Sequence, residues 1–160
     1  MHWLYRPLSA AAFMAIMASS AMAQGSLACV IEDKVVSLAL TAPYAAGHGD
    51  GLIDVSGKMG VKYDGTPRDI GTVALQRQSV AQYWFQGKEL KLLVVEDKAG
   101  IGRSLSVTIR LDLKGSRTDP TTYRGAYVME AVHRDRKTTG AGLSHKASGY
   151  AECTANPNGG

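Results

Sequence analysis

The chain has 160 residues, with 18 Lys or Arg against 14 Asp or Glu and a formal net charge of +4. Charges of both signs are interspersed and no run of like charge occurs, which argues against nucleic-acid binding and against a membrane-binding arm. The basic excess is mild, although in an exported protein it would favour anionic envelope polymers.

The first 23 residues have the pattern of a cleaved export signal of bacterial form. Arg6 gives a positive start, an uncharged apolar run extends from Leu8 to Met17, and Ala21-Met22-Ala23 is a small-x-small cleavage site. A transmembrane anchor is the alternative, but the run is shorter than the ~20 residues that cross a bilayer. We therefore expect a mature chain that begins at Gln24, has no transmembrane segment, and works in the periplasm or is secreted into the medium.

The rest of the chain has an ordinary length for one domain and can bury a sizeable core. We expect a single domain over residues 24–155. Residues 156–160 are polar and rich in Gly and Pro, so we expect a disordered tail there.

Cys29 and Cys153 are the only cysteines, one near each end of the mature chain. In an oxidising compartment such a pair indicates a disulfide, which would join the first strand to the last. The rival interpretation is a lipoprotein site at Ser26-Leu27-Ala28-Cys29, with Cys29 lipidated. Such sites usually carry Leu where Ser26 stands, and lipidation would leave Cys153 unpaired, so we favour the disulfide.

The segment after Gln24 is rich in apolar residues. Residues 27–31 and 35–40 predict either one long strand with a bulge or two short strands joined tightly. Residues 41–51 contain Pro43 and three glycines, which predict a loop.

Residues 53–63 alternate between apolar and polar side chains, which predicts a half-buried strand. Residues 70–80 carry a partial alternation as well as a short helical pattern, and we favour a strand because the neighbours are β-rich. Tyr83-Trp84-Phe85 follows. Three successive aromatics in a strand cannot all face one core, so at least one should lie on the outer face or line a cleft. We expect Trp84 to be the main core residue among them.

The segment from Lys88 to Lys114 has the clearest pattern in the chain. Its second half alternates strictly and predicts a half-buried strand. The residues on the apolar side of that strand are Leu105, Val107, Ile109, Leu111 and Leu113. The first half is apolar on both sides, and residues 97–100 supply turn residues for an antiparallel hairpin. We expect this hairpin at the centre of the sheet.

Residues 115–121 are a loop by composition, residues 123–131 alternate as a further strand, and residues 134–137 predict a charged turn. A weakly alternating segment over residues 143–154 follows. No amphipathic helix longer than two turns is indicated, whereas strands recur with turn signals between them. We therefore predict an all-β fold, a single-domain antiparallel β-sandwich or small β-barrel of about six to eight strands with one terminal disulfide.

No pattern identifies a catalytic site, and we predict neither a metal nor a cofactor. The chain lacks a nucleophile elbow, and His48, His133 and His145 each stand alone in the sequence. Residues 47–51 with Asp54 combine imidazole and carboxylate on a loop, but their spacing matches no zinc or calcium module.

Two features could serve ligand binding. The first is the aromatic pair Tyr83 and Trp84. The second is a basic cluster of Arg134, Arg136 and Lys137 with His133, which could bind an anionic group, although solvated turn charges explain it equally well.

These observations favour an exported, non-enzymatic protein that binds a partner protein, an envelope glycan or a small ligand. One alternative is a small hydrolase, whose cleft would combine several loop residues from the set His48, Asp50, Asp54, His133 and His145. Another is a barrel that carries an apolar ligand, which would need an internal cavity.

Overall fold

The structure is a computed structural model that describes residues 24–45, 52–64, 66, 71–135 and 142–156. Within these ranges the chain forms nine strands, and a 3-10 turn over Arg77–Ser79 joins the fourth strand to the fifth. The strands are β1 (Gln24–Glu32), β2 (Val36–Ala45), β3 (Ser56–Val61), β4 (Thr72–Leu75), β5 (Val80–Gln86), β6 (Glu89–Gly100), β7 (Arg103–Gly115), β8 (Thr122–Asp135) and β9 (Leu143–Asn156). None of the helical structure in these ranges has the length and apolar character that a membrane span requires.

All nine strands belong to one antiparallel sheet with the order β4-β3-β2-β1-β9-β8-β7-β6-β5. Its edge strands, β4 and β5, are consecutive in the chain, and only residues 76–79 separate them. A segment of that length spans at most about 18 Å. The sheet therefore has to curl until its two edges approach each other, and the result is a barrel-like shell.

The fold confirms the prediction of an all-β chain with a barrel-like sheet, and it corrects two further expectations. The described residues form nine strands rather than six to eight, because residues 27–45 form two strands and residues 72–86 form two more. One curled sheet takes the place of the two packed sheets of a sandwich.

The hairpin β6–β7 does not lie at the centre of the sheet, as its strong pattern had suggested. The two strands are second and third from an edge, while β9 occupies the middle and pairs with β1. The residues that pair there are Ser26–Val30 of β1 and Glu152–Asn156 of β9. The pairing of the first and last strands thus determines which strands lie at the centre of the sheet. The alternation of apolar and polar residues within one strand carries no information about that position.

The turn between β6 and β7 lies at Ile101–Gly102 rather than at residues 97–100. Gly102 has a φ of 71°, which a residue without a Cβ adopts at little cost. Residues 97–100 continue the ladder, where Asp97 pairs with Ser106.

Three other boundaries differ from the sequence-based prediction. β2 continues through Pro43 to Ala45, because Ala42 and Tyr44 still bury their side chains against the core. Residues 134 and 135 extend β8, so the charged turn was wrong for them, and Asn156 belongs to β9 rather than to the tail. The predicted export signal over residues 1–23 and the predicted tail over residues 157–160 lie outside the described residues.

The concave face of the sheet carries the core. Alternate side chains of each strand point inward, and the predicted apolar side of β7 is buried in full. The largest fully buried side chains are Leu27, Ile31, Leu38, Leu40, Met59, Leu90, Leu105, Ile109, Leu111, Leu113 and Tyr127. Cys29 and Cys153 form the predicted disulfide inside this core, at directly paired positions of β1 and β9.

Candidate functional site

The aromatic run of β5 divides between the two faces of the sheet. Tyr83 and Phe85 point inward and are half-buried, whereas Trp84 points outward with 53% of its surface exposed. The expectation that Trp84 is the core residue was wrong. Neighbouring residues of a strand face opposite sides of the sheet, and in β5 it is the side with Tyr83 and Phe85 that packs on the core. The expectation that at least one of the three lies on the outer face is confirmed.

The inward aromatics close one end of the shell, which we call the aromatic end. The ring of Phe85 meets those of Tyr44 and Tyr123 edge-on, at centroid distances of 5.6 and 5.3 Å. The hydroxyl of Tyr123 donates a hydrogen bond to the carbonyl oxygen of Gly87 at 3.2 Å. Burial raises the pKa of Tyr44, Tyr83 and Tyr123 above that of a solvated tyrosine. These rings fill the interior and stabilise the fold.

A groove of about 860 Å³ lies on the opposite face of the same strands, around Trp84. Its outward-pointing side chains come from β5, β6 and β7. They are Gln82, Trp84, Glu89, Lys91, Leu93, Arg110 and Asp112. We call this site the Trp84 groove. Tyr83 is also among the lining residues, but its side chain points to the inner face, so of the predicted aromatic pair only Trp84 presents its ring to the groove.

Strand register arranges the groove in two rows. Trp84 pairs with Lys91, and Lys91 pairs with Asp112. In the neighbouring row, Leu93 pairs with Arg110. Directly paired side chains on one face lie about 5 Å apart, so an exposed indole, two cations and an acceptor lie on three neighbouring strands within about 10 Å of one another.

The charges of the Trp84 groove are balanced, with two cations and two anions. The ammonium group of Lys91 lies 3.8 Å from a carboxylate oxygen of Glu89, and both side chains are about half exposed. Within the described part of the chain, neither Arg110 nor Asp112 forms a side-chain hydrogen bond or ion pair. The groove therefore offers both donors and acceptors to a ligand.

The two described histidines lie at the other end of the shell, which we call the polar end. His145 pairs with Ala131, so His133 is its diagonal neighbour on the same face. The imidazole of His145 stacks on the ring of Tyr63, with centroids 3.7 Å apart. Nε2 of His133 and the hydroxyl of Tyr63 are both buried without a hydrogen-bond partner among the described residues.

The structure does not assemble the cleft that a hydrolase would need from its described members. Asp54 is exposed and precedes β3 at the aromatic end, because nearby Leu52 bridges to Tyr44. The histidines of β8 and β9 lie at the polar end. His48 and Asp50 lie outside the described residues. Across the described ranges, no group of three or more His, Cys, Asp or Glu side chains could hold a metal ion.

The predicted basic cluster is separate from the aromatic pair. His133 is partly buried on the inner face of β8, and the adjacent Arg134 is exposed on the outer face. Both lie near the polar end, whereas Trp84 lies near the aromatic end. Arg136 and Lys137 lie outside the described residues. The two predicted binding features therefore lie at different ends of the shell.

The charged part of the Trp84 groove was missed in the sequence. One signal was present, because β6 is apolar on both sides and Leu93 therefore had to lie on the outer face. The sequence could not show which side chains lie next to Leu93 and Trp84. Strand register places Arg110 beside Leu93 and Lys91 beside Trp84.

Comparison of the chain with protein-family models, with curated proteins and with solved structures finds no match in any of the three.

Proposed function

We propose that this chain is an exported, non-enzymatic binding protein that holds a neutral saccharide chain in the Trp84 groove. The observation that carries the proposal is the exposed indole of Trp84 in a concave site with balanced charges. The volume of the groove falls in the range of about 300–1,000 Å³ that is usual for ligand sites. The N-terminal export pattern and the Cys29–Cys153 disulfide support an oxidising, exported compartment.

The chemistry of a saccharide matches the side chains that line the groove. A pyranose ring has an apolar C–H face, which stacks on a flat aromatic surface, and a rim of hydroxyl groups. Trp84 supplies a large, rigid aromatic side chain with 53% of its surface exposed. Each hydroxyl both donates and accepts, so Lys91 and Arg110 can donate to it while Glu89 and Asp112 accept from it.

The interior of the shell supports the apolar-carrier alternative less well. Inward positions of every described strand carry core side chains, and the rings of Tyr44, Phe85 and Tyr123 pack against one another at the aromatic end. Small barrels are commonly filled by their own side chains in this way.

Tryptophan fluorescence tests the proposal directly. The chain has two tryptophans, Trp3 and Trp84, and Trp3 lies within the proposed export signal, so the emission of the exported protein reports on Trp84 alone. We expect titration with a neutral β-1,4-linked N-acetylglucosamine pentamer to give a saturable change in emission, because ring stacking removes water from the indole. Emission that does not respond to the pentamer, combined with no heat of binding, would contradict the proposal.

A matched pair of variants then locates the binding site. Trp84→Ala should weaken pentamer binding at least tenfold by calorimetry, which corresponds to about 1.4 kcal/mol. The control is Ile101→Ala, which removes a fully exposed apolar side chain at the β6–β7 turn, outside the groove, and should leave the affinity unchanged. Equal effects of the two substitutions would contradict the assignment of the groove.

Salt dependence distinguishes a neutral chain from an anionic polymer. Because the groove carries two charges of each sign, we expect pentamer affinity to change less than about twofold between 50 and 500 mM salt. If the protein instead retained only anionic polymers, and released them at high salt, the neutral-saccharide proposal would be wrong.

A further inference from the structure

We propose that a second pocket, on the outer face of β2, β3 and β4, binds a phosphate group. The pocket has a volume of about 380 Å³, within the range that is usual for ligand sites. Its polar lining comes from the side chains or backbone of Ser37, Gly60, Lys62, Thr66, Gly71 and Thr72. We call it the Gly60 pocket. The Trp84 groove lies on β5, β6 and β7, so this inference does not depend on the proposed function.

Strand register forms the floor of the Gly60 pocket from one transverse row. Gly60 of β3 pairs with Ser37 of β2 on one side and with Thr72 of β4 on the other. Paired residues share a face of the sheet, so two hydroxyl groups flank a position that has no side chain. A Cβ added at Gly60 would lie 2.7 Å from Oγ of Ser37. Glycine at the centre of the row therefore leaves the space between the two hydroxyls open.

Backbone hydrogen bonds place two further lining residues. The amide of Thr66 donates to the carbonyl oxygen of Tyr63 at 3.1 Å, so a tight turn keeps Thr66 close to the end of β3. The carbonyl oxygen of Gly71, which precedes β4, accepts a hydrogen bond from the amide of Val61 at 2.8 Å. These bonds hold the walls of the pocket against β3.

The hydroxyl groups of the Gly60 pocket are available to a ligand. Oγ1 of Thr66 is buried and has no hydrogen-bond partner among the described residues. The hydroxyls of Ser37 and Thr72 form no side-chain hydrogen bond within the same ranges. A buried hydroxyl without a partner is unfavourable, and a ligand oxygen in the pocket would supply that partner.

Lys62 gives the pocket its positive charge. It lies two positions after Gly60 and thus on the same face of the sheet. Its ammonium group donates to a carboxylate oxygen of Glu32 and, at 3.2 Å, to the carbonyl oxygen of Asp33. An ammonium group has three N–H donors, so one remains for a ligand. Glu32 has a largely exposed side chain, and it competes with an anion for Lys62.

Phosphate is the ligand chemistry that these groups fit best. Among the described residues that line the pocket, none is acidic and none is aromatic. The pocket therefore lacks both the negative charges and the stacking surface of the Trp84 groove. Hydroxyls from three separate segments and one ammonium group approach the space from several sides. A tetrahedral phosphate presents oxygens in these directions, and its hydrogen bonds with a charged donor are strong.

Amide chemical shifts of the ¹⁵N-labelled protein, recorded as inorganic phosphate is added, test this inference. We expect saturable shifts at Gly60, Thr66 and Thr72, which sodium chloride at matched ionic strength does not produce. If sodium chloride reproduced the shifts, or if sodium acetate bound as tightly as phosphate, the proposal would be overturned.

Thr66→Val separates ligand binding from a structural role of the hydroxyl. The substitution keeps the shape of the side chain and removes a group without a described protein partner, so the folded protein should be at least as stable as wild type. Phosphate affinity should nevertheless fall at least about fivefold. Thr108→Val is the matched control, because Thr108 is exposed on β7, and it should bind phosphate like wild type. Wild-type affinity in Thr66→Val would contradict the proposal.

Charge variants test the role of Lys62. Lys62→Gln should weaken phosphate binding at least about fivefold. Lys58→Gln removes the same charge from an exposed position of β3 outside the pocket and should change the affinity less than about twofold. Glu32→Gln removes the competing carboxylate and should strengthen binding at least about twofold. Equal losses in the two lysine variants, or no gain in Glu32→Gln, would reduce the effect to general surface charge and overturn the assignment.

Glycerol phosphate distinguishes the two sources of the phosphate group. Tighter binding of this ester than of inorganic phosphate assigns the pocket to a phosphate carried by a larger molecule, and the reverse order assigns it to the free ion. Phosphate should bind equally to wild type and Trp84→Ala, and the N-acetylglucosamine pentamer equally to wild type and Thr66→Val. Failure of one proposal therefore leaves the other standing.

Discussion

Tyr127 shows at the scale of single residues how a polar group is accommodated in this core. Its side chain is fully buried, and its hydroxyl donates to Oδ2 of Asp33 at 2.8 Å. That hydrogen bond lowers the pKa of Asp33 below its ordinary value. Burial, together with the nearby carboxylate, raises the pKa of Tyr127 to about 12. The pair satisfies the one polar atom of a large core side chain next to the turn between β1 and β2.

Gly149 provides the space for this arrangement. It lies opposite Tyr127 in the β8–β9 ladder, and a Cβ at this position would lie 2.8 Å from the tyrosine ring and 2.8 Å from Oδ2 of Asp33. Since the ring cannot move without disturbing the core, Gly149→Ala should lower the free energy of unfolding by about 1–3 kcal/mol in urea titrations. Ser148→Ala, at the adjacent exposed position, should stay within about 0.5 kcal/mol of wild type. Equal stability of the two variants would show that the space at Gly149 is not needed.

Asp119 should make stability depend on pH in the acid range. Its carboxylate accepts hydrogen bonds from the hydroxyls of Thr121 and Thr122, both at 2.6 Å, and these lower its pKa from 3.8 to about 2. Because the folded pKa lies below the unfolded one, the contribution is present above about pH 4 and is lost as the pH falls toward 2. The difference in Tm between wild type and Asp119→Asn should therefore shrink over this interval. A difference that stays constant from pH 6 to pH 2 would contradict this account.

At the scale of elements, the pairing of β1 with β9 holds the two halves of the sheet together. It connects the strands β1 to β4 with the strands β5 to β9, yet only five residues of each strand take part. Cys29 and Cys153 lie within that pairing, 124 positions apart in the sequence. A crosslink over such a long loop removes much of the conformational entropy of the unfolded chain.

Replacement of both cysteines by alanine should therefore lower the free energy of unfolding by about 4 kcal/mol, measured in guanidinium chloride. Because both residues are buried, reductant without denaturant should leave the bond of the wild-type protein intact. A loss below about 1 kcal/mol, or free thiols in the purified protein, would contradict the role given to this bond.

Substitutions at the adjacent aromatics Trp84 and Phe85 of β5 should have different effects on stability. Phe85 packs against Tyr44 and Tyr123 at the aromatic end, so Phe85→Ala should cost about 2–4 kcal/mol of unfolding free energy. Trp84 faces outward, and Trp84→Ala should change the free energy of unfolding by less than about 0.5 kcal/mol. Chemical denaturation of the two variants measures both effects. If Trp84→Ala proved the more destabilising, the assignment of faces would be reversed.

Much of the element structure could be predicted from the sequence, because a one-sided strand leaves a period of two in its residues. The pattern of β7 was predicted position by position, and the disulfide followed from two cysteines near the chain ends. The β6–β7 turn was misplaced because residues 97–100 have turn composition, whereas the turn lies at Ile101–Gly102, where Gly102 has a positive φ. The orientation of Trp84 depends on which side of β5 meets the core, and the alternation of Tyr83, Trp84 and Phe85 is the same for either side.

At the scale of the whole molecule, the curl brings the sheet edges together. The ammonium group of Lys98 on β6 donates to the carbonyl oxygen of Thr72 on β4 at 2.6 Å. Ser79, in the turn before β5, donates to Glu96 of β6. Side chains thus link the two edge regions where β5 is too short to extend the ladder. Contacts between residues so far apart in the chain leave no local pattern, which is why the order of the strands and the charged row of the Trp84 groove could not be predicted.

The curl also gives the two faces different roles. The inner face is a core with an aromatic end and a polar end, and the outer face of β5 to β7 carries the exposed Trp84 among balanced charges. The interior stabilises a rigid shell, and the outer face is left available for a ligand.

Amide chemical shifts of the ¹⁵N-labelled protein, recorded as the N-acetylglucosamine pentamer is added, test this division most directly. The account predicts saturable shifts for Trp84, Lys91, Arg110 and Asp112 of the Trp84 groove, with the amides of His133 and His145 unchanged. Shifts concentrated at the two histidines, or no shifts at any concentration of the pentamer, would contradict it.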